Sequence, residues 1–274
     1  KDKYYQMLLN DPSWNLDKGW YEDPSNWHSF NEFFSRKLRD GARPIAGLED
    51  ESIIVSPADS LPQGIWEIEN DGTLLADPIT DEHDVVIKSS VYISVEQLLG
   101  EEMEEYASYF HGGTLTHTYL NYDDYHRYHF PVSGKIVACY KIPYANAVGG
   151  IVYWDKGYKK YFLESNSLSW QVVETRGVVI IEIEEGVYVA VLPIGMGQVS
   201  SVNFEDNVKV GATVNKGDPL GYFLFGGSDV VMLFENDANF KITAEESEEE
   251  GGYYGGYKHI NCREEYGIFD GSNS

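Results

Sequence analysis

From Ile53 onward the chain breaks into short runs of β-branched and aromatic residues, and this segmentation constrains the fold more than any other feature. The runs are Ile53–Val55, Ile65–Ile68, Val85–Lys88, Gly134–Tyr140, Val178–Ile183 and Val187–Leu192. Gly, Pro, Asn and Asp punctuate them, which predicts mostly antiparallel β-structure. Val230–Phe234 is apolar at every position over the length of one strand, which predicts a buried strand. Helix signals are fewer. Ser29 and Glu32 are spaced as a capping box, Phe30, Phe33, Phe34 and Leu38 recur on one helical face, and Gly41 and Pro44 predict the stop. A second helix is predicted from Ser94, with Gln97 at capping-box spacing, to about Tyr109. Residues 1–28, rich in Trp, Tyr, Asp and Asn, carry only broken helical patterns. The expected class is α+β, mainly antiparallel β with N-terminal helices: a helical segment over 1–45 and a β-rich domain over 46–274.

Composition narrows the function. A chain of 274 residues with 42% hydrophobic residues buries a sizeable core without staples. Its 45 acidic and 20 basic residues give a net charge of -25, a field that repels phosphate backbones and anionic membranes. Nucleic acid is therefore excluded as a partner, and membrane contact is at most peripheral. The stripe of Phe30 to Leu38 lacks a basic polar face, so it is expected to pack on the core rather than on a membrane. No apolar run approaches the length of a membrane span, and the start, Lys1 to Tyr5, has neither a signal region nor an initiating Met. The expectation is a soluble, cytoplasmic chain with a trimmed start. Cys139 and Cys262 could pair but form no framework and no metal-ligand spacing. The acidic run Glu245–Glu250 and the Gly-Tyr stretch 251–257 are expected to form a solvated, flexible surface segment.

Three clusters carry chemistry. Phe225-Gly226-Gly227-Ser228-Asp229 places a tight turn at the entry to the buried strand. A serine hydroxyl there can reach the preceding carbonyl; the alternative is an ordinary Gly-Ser turn. Asp123-Asp124-Tyr125-His126-Arg127-Tyr128-His129 sets two histidines three apart, which on a regular strand face opposite sides and do different jobs. Acid-base chemistry suits either; no third ligand at telling spacing supports a metal, and either ring also fits a satisfied core histidine. Ser56-Pro57-Ala58-Asp59-Ser60 is a turn whose Asp59 could orient a histidine in a triad.

Taken together these residues resemble the phosphatidylserine decarboxylase family of pyruvoyl-dependent enzymes. The matching pieces run in family order: Phe33-Phe34-Ser35-Arg36-Lys37-Leu38 with Gly41-Ala42-Arg43-Pro44, Ser56-Pro57-Ala58-Asp59, Ile87-Lys88 with Leu98-Leu99-Gly100, Asp124-Tyr125-His126-Arg127-Tyr128-His129, and Phe225-Gly226-Gly227-Ser228. The resemblance implies the family's fold; residues 204–222 also resemble a lipoyl-type barrel-sandwich pattern. It further implies that Ser228 attacks the carbonyl of Gly227, that the chain is cut between Gly227 and Ser228, and that Ser228 becomes a pyruvoyl group, the only cofactor. His129 and Asp59 match the residues that activate the serine, and His126 the residue assigned to decarboxylation, as proton donor. The pyruvoyl carbonyl would form a Schiff base with the substrate amine and act as the electron sink. Asp229 departs from the small residue usual after the serine, and a carboxylate there could disfavour the anionic steps of processing. Pro193 to Ser200 stands where the lipid enzymes carry Val-Gly-Ala, which together with the acidic surface points by the same resemblance to a free, notably aromatic, L-amino acid such as tryptophan. Phosphatidylserine is the alternative substrate, and an unprocessed binding protein of the same fold the non-enzymatic one. A homodimer is expected by the same resemblance.

Overall fold

A computed structural model describes residues 2–75, 92–100, 103–143, 151–155, 160–164, 171–196, 201–247 and 257–270. The run Val230–Phe234 sits in the interior of a seven-stranded antiparallel sheet. In chain order the strands are β1 (Leu61–Glu67), β2 (Thr114–Leu120), β3 (Gly134–Ile142), β4 (Thr175–Glu184), β5 (Val187–Met196), β6 (Thr213–Val214) and β7 (Gly227–Phe234). Across the sheet their order is β6-β3-β4-β5-β7-β2-β1, so β7 lies between β5 and β2.

Both faces of this sheet are covered, which is why its inner strands read as continuous apolar runs rather than alternating ones. On β7, Val230, Met232 and Phe234 enter one core, with Ala58, Leu120, Tyr128 and Phe130. Val231 and Leu233 enter the other, with Leu98, Leu99, Leu115 and Met196. The same split recurs on β4, where Val179 and Ile181 face the first core and Val178 and Ile180 the second. A third cluster joins the N-terminal aromatics Trp14, Tyr21, Trp27 and Phe33 to Tyr125 and Cys262.

The fold is α+β and mainly antiparallel β, as the segmentation predicts. Three expectations need correction and two fall outside the described residues. The first helix covers only Phe30–Phe34; its Ser29–Glu32 capping box is present, but Leu38 lies beyond it in a bridge to Tyr21. The backbone after Ser35 turns extended because Arg39 N–H donates to Trp20 O and Glu22 N–H to Lys37 O, while the buried Arg36 guanidinium lies over Tyr21, Phe33 and Trp14. Phe33 and Phe34 are buried as expected, whereas Phe30 is exposed. The second helix breaks into Val95–Leu99 and Glu104–Ala107, because Gly100 takes φ +89°, a conformation incompatible with a helix. The hairpins of 204–222 do not close into a barrel among the described residues: β6 pairs with β3, while Asn203–Phe204 and Arg127–His129 flank Pro219–Tyr222. Val85–Lys88 and most of the acidic Gly-Tyr segment lie outside the described residues. Cys139 and Cys262 are both free thiols.

Candidate active site

Ser228 is the second residue of the interior strand β7, directly opposite Gly195 of β5 and Leu120 of β2. Its side chain is fully buried and its hydroxyl has no hydrogen-bond partner. A buried hydroxyl without a partner costs free energy, so such a group marks a functional position more often than a structural one. Strand alternation puts Ser228 on the face of Val230 and Met232, and Asp229 on the face of Val231. The Asp229 carboxylate therefore points away from the Ser228 hydroxyl, and its Oδ2 is hydrogen-bonded to His117 Nδ1 at 2.9 Å. Gly227, opposite Met196, approaches it so closely that a Cβ would lie 2.9 Å from Met196 Cγ.

His126 follows β2 through a turn closed by Asn121 N–H donating to Asp124 Oδ2 at 2.8 Å. Its Nδ1 lies 2.9 Å from the Asp124 carbonyl, which can only accept, so Nδ1 carries the proton and Nε2 the lone pair. That Nε2 is buried without a partner. The ring stacks on Phe34 at 3.7 Å, and Phe34 also packs edge-on against Phe225 at 5.4 Å. Phe34 thus links His126 to the segment that leads into Ser228. Burial holds the His126 pKa down to about 3, the Arg36 charge adding to the effect. At neutral pH the ring is an acceptor at Nε2; it donates there only after taking up a proton.

His129 sits at the end of Arg127–His129, buried, with Nδ1 donating to Gly217 O at 2.8 Å and Nε2 accepting from Tyr125 Oη at 3.0 Å. Burial lowers its pKa to about 3 as well. Asp59 accepts the Cys262 N–H at 2.8 Å and is paired with Arg43 through both Nη atoms, Nη2 to Oδ2 at 2.9 Å. The two segments touch through the backbone, His129 N–H donating to Pro57 O at 2.8 Å. The expected Asp59–His129 and His129–Ser228 hydrogen bonds are not formed. Both His129 nitrogens have other partners, Gly217 O at Nδ1 and Tyr125 Oη at Nε2. Arg43 lies over the Tyr125 ring at 5.6 Å and carries the connection between the two.

The C-terminal residues close the site from one side. Arg263 adopts φ +77°, costly for a residue with a Cβ, and is held there by its N–H to Ser56 O and its Nε to Gly217 O. That turn aims Cys262 N–H at Asp59. His259 Nε2 meets Asp124 Oδ1 at 2.8 Å, which steadies the loop carrying His126. Sequence reasoning missed Tyr125, Arg43 and His117 as participants. Arg43 stood in a recognised motif without a role, and His117 is separated from Asp229 by 112 positions.

Comparison with known proteins matches residues 30–256 to the model of the phosphatidylserine decarboxylase family. The chain belongs to the phosphatidylserine decarboxylase family. It is 35% identical over 225 residues to phosphatidylserine decarboxylase proenzyme 2 of Oryza sativa subsp. japonica, covering 82% of this chain and 32% of the rice protein. It is 32% identical over 226 residues to the phosphatidylserine decarboxylase proenzyme of Fusobacterium nucleatum, covering 81% and 65% of the two chains. With phosphatidylserine decarboxylase proenzyme 2 of Clostridium acetobutylicum it shares 30% identity over 239 residues, 85% of this chain and 68% of the relative. The chain thus spans about a third of the rice protein and just under two thirds of the Fusobacterium one. The family match contains Asp59, His126, His129, Gly227 and Ser228, whereas Trp14, Tyr21 and Trp27, which pack beside Tyr125, precede it.

Proposed function

We propose that this chain is a self-processing decarboxylase that cuts itself between Gly227 and Ser228 and removes CO2 from phosphatidylserine. The observation that carries this is the unpartnered, fully buried Ser228 hydroxyl on an interior strand, after two glycines and the Phe225 that Phe34 joins to His126, whose Nε2 is equally unpartnered. Ser228 Oγ attacks the Gly227 carbonyl and converts the amide to an ester. Loss of the Ser228 α-proton then expels the Gly227 carboxylate, and water replaces the freed nitrogen, releasing ammonia and leaving a pyruvoyl end. His129 is the base for the serine hydroxyl; Tyr125 must release Nε2 for this to happen. Asp59 acts as a positioning residue through Arg43 and the Cys262 turn.

The residues around Ser228 suit such a group, because the hydroxyl that processing removes is one that makes no hydrogen bond here. A pyruvoyl carbonyl supplies the electron sink that no unmodified side chain provides. His126 Nε2, a buried lone pair, takes the proton of the substrate ammonium and returns it to the α-carbon after CO2 leaves.

The names of the relatives favour phosphatidylserine over the free aromatic amino acid expected from the acidic surface. Phe30 and Phe225, each 43% exposed with ring centroids 5.0 Å apart, place apolar surface on the segment leading to Ser228, which suits an acyl-bearing substrate. The choice is tested by following CO2 release from phosphatidylserine in neutral vesicles and from free tryptophan, tyrosine and serine. Turnover of the lipid alone is expected; turnover of a free amino acid alone would overturn the substrate assignment.

A further inference from the structure

The pair Asp229–His117 stands out chemically. Both side chains are completely buried, on a face of β7 otherwise lined by Val231 and Leu233. Two ionisable groups in such a place are expensive to desolvate, and an apolar pair of similar size commonly serves stability as well or better. What such pairs provide in the best-attested cases is register. Their place in the sheet fits that use: Asp229 is the first residue after Ser228, and His117 lies on the adjacent strand opposite Val231. The His117 ring is itself stacked on Trp66 of β1, with centroids 5.2 Å apart and an interplanar angle of 22°. A side-chain tie thus runs from the second residue of the new fragment across β2 to β1.

The consequence rests on the self-cleavage proposed above. In the whole chain Ser228 continues from Gly227 and needs no anchor. After the cut it is a chain terminus, and termini fray unless tied down. The Ser228 face offers no tie, since its hydroxyl is unpartnered even before processing. We propose that Asp229 and His117 are positioning residues that pin the pyruvoyl-bearing end of β7 once the chain is cut, holding it in register against β2 from the face opposite the reacting group. Asp229 is then an anchor for the processed enzyme rather than an obstacle to processing.

The test compares Asp229→Asn, which keeps a hydrogen bond to His117, with Asp229→Val/His117→Leu, which replaces the pair by apolar groups suited to that face. Each is made in the native chain and in a Ser228→Ala chain that stays whole. All native-background variants are expected to be cut. In the cut double variant, amide hydrogen exchange of residues 229–231 is expected to rise about tenfold or more, and kcat to fall on the order of 10- to 100-fold, as for a misplaced reacting group. Asp229→Asn should stay within a few-fold of the native protein on both counts. In the uncut background the double variant should exchange like its parent. A cut double variant with native kcat and native exchange would overturn the anchoring role. So would exchange that rises equally in cut and uncut chains, which would make the pair ordinary core packing. Failure of the native chain itself to be cut is a different result and refutes the proposed function.

Discussion

Replacing Arg43 with Met isolates the most heavily committed polar contact of the site. Arg43 and Asp59 are 6% and 4% exposed at their side chains, and the guanidinium engages both carboxylate oxygens. Removing one member of a buried pair leaves the other charged and unpaired, which costs about 3–5 kcal/mol. Against a typical total stability of about 5–15 kcal/mol, that loss is large. Asp59 keeps one compensating contact, the Cys262 N–H at 2.8 Å, which places the expectation at the lower end of that range. Adding Asp59→Asn removes the stranded charge while leaving an oxygen for Cys262, and should recover about 2 kcal/mol, a coupling within the range seen for contacting residues. Urea unfolding of the native protein, both single variants and the double variant, all carrying Ser228→Ala to keep the chain whole, measures the cycle. A cost below about 1 kcal/mol for Arg43→Met, the value of an exposed pair, would refute the account of Asp59 as one end of a buried ion pair.

Three further outcomes are expected. His126→Ala should still be cut but lose about 10²–10⁴-fold in decarboxylation, the usual worth of an acid-base group; a cut, fully active variant would remove His126 from the proton transfer. His126 also makes stability depend on pH: its folded pKa, near 3, lies below the ordinary value of 6.5, so the unfolded chain binds the extra proton. Its contribution is complete above about pH 6.5 and is lost as pH falls toward 3, at up to about 1.4 kcal/mol per pH unit. His126→Phe, which keeps the stacking on Phe34, should flatten the stability profile by that slope between pH 6 and 4; identical slopes would contradict it. Lys216, 1% exposed, donates to the carbonyls of Gly47, Asp50 and Ile53 at 2.6, 2.7 and 2.9 Å. Lys216→Met should lower stability by at least about 2 kcal/mol in urea unfolding, because those acceptors lose a charged donor.

Strands β4, β5 and β7 were legible because burial on both faces writes itself as uninterrupted apolar runs, and β3, only partly buried, because its β-branched and aromatic residues stand between turn signals. Helix ends were less so. Leu38 has the right spacing to extend the first helix, but the backbone there is drawn into pairing with residues 20–22, a tertiary competition that periodicity does not register. Gly100 ends the second helix early by its positive φ, and a single Gly in a helical pattern does not announce which conformation it takes. At the site, backbone hydrogen bonds join the Pro57 segment to His129 and His126 to Phe223, yet the partners of the side chains were not readable. Tyr125 stands just before the first histidine of the motif, four residues from the ring it binds. Gly217, which holds the other nitrogen of His129, is 88 positions away. The direction of the Asp229 carboxylate was not readable either: adjacent residues in a strand face opposite ways, so it points away from the Ser228 hydroxyl and has its own partner on the far side.

Intact-mass analysis of the freshly expressed protein addresses the central claim most directly. The account predicts two fragments, one ending at Gly227 and one beginning at position 228 that is lighter by ammonia than a serine-initiated fragment and reacts with a carbonyl reagent, with Ser228→Ala remaining whole. A native chain that persists as the single 31.0 kDa species would contradict it.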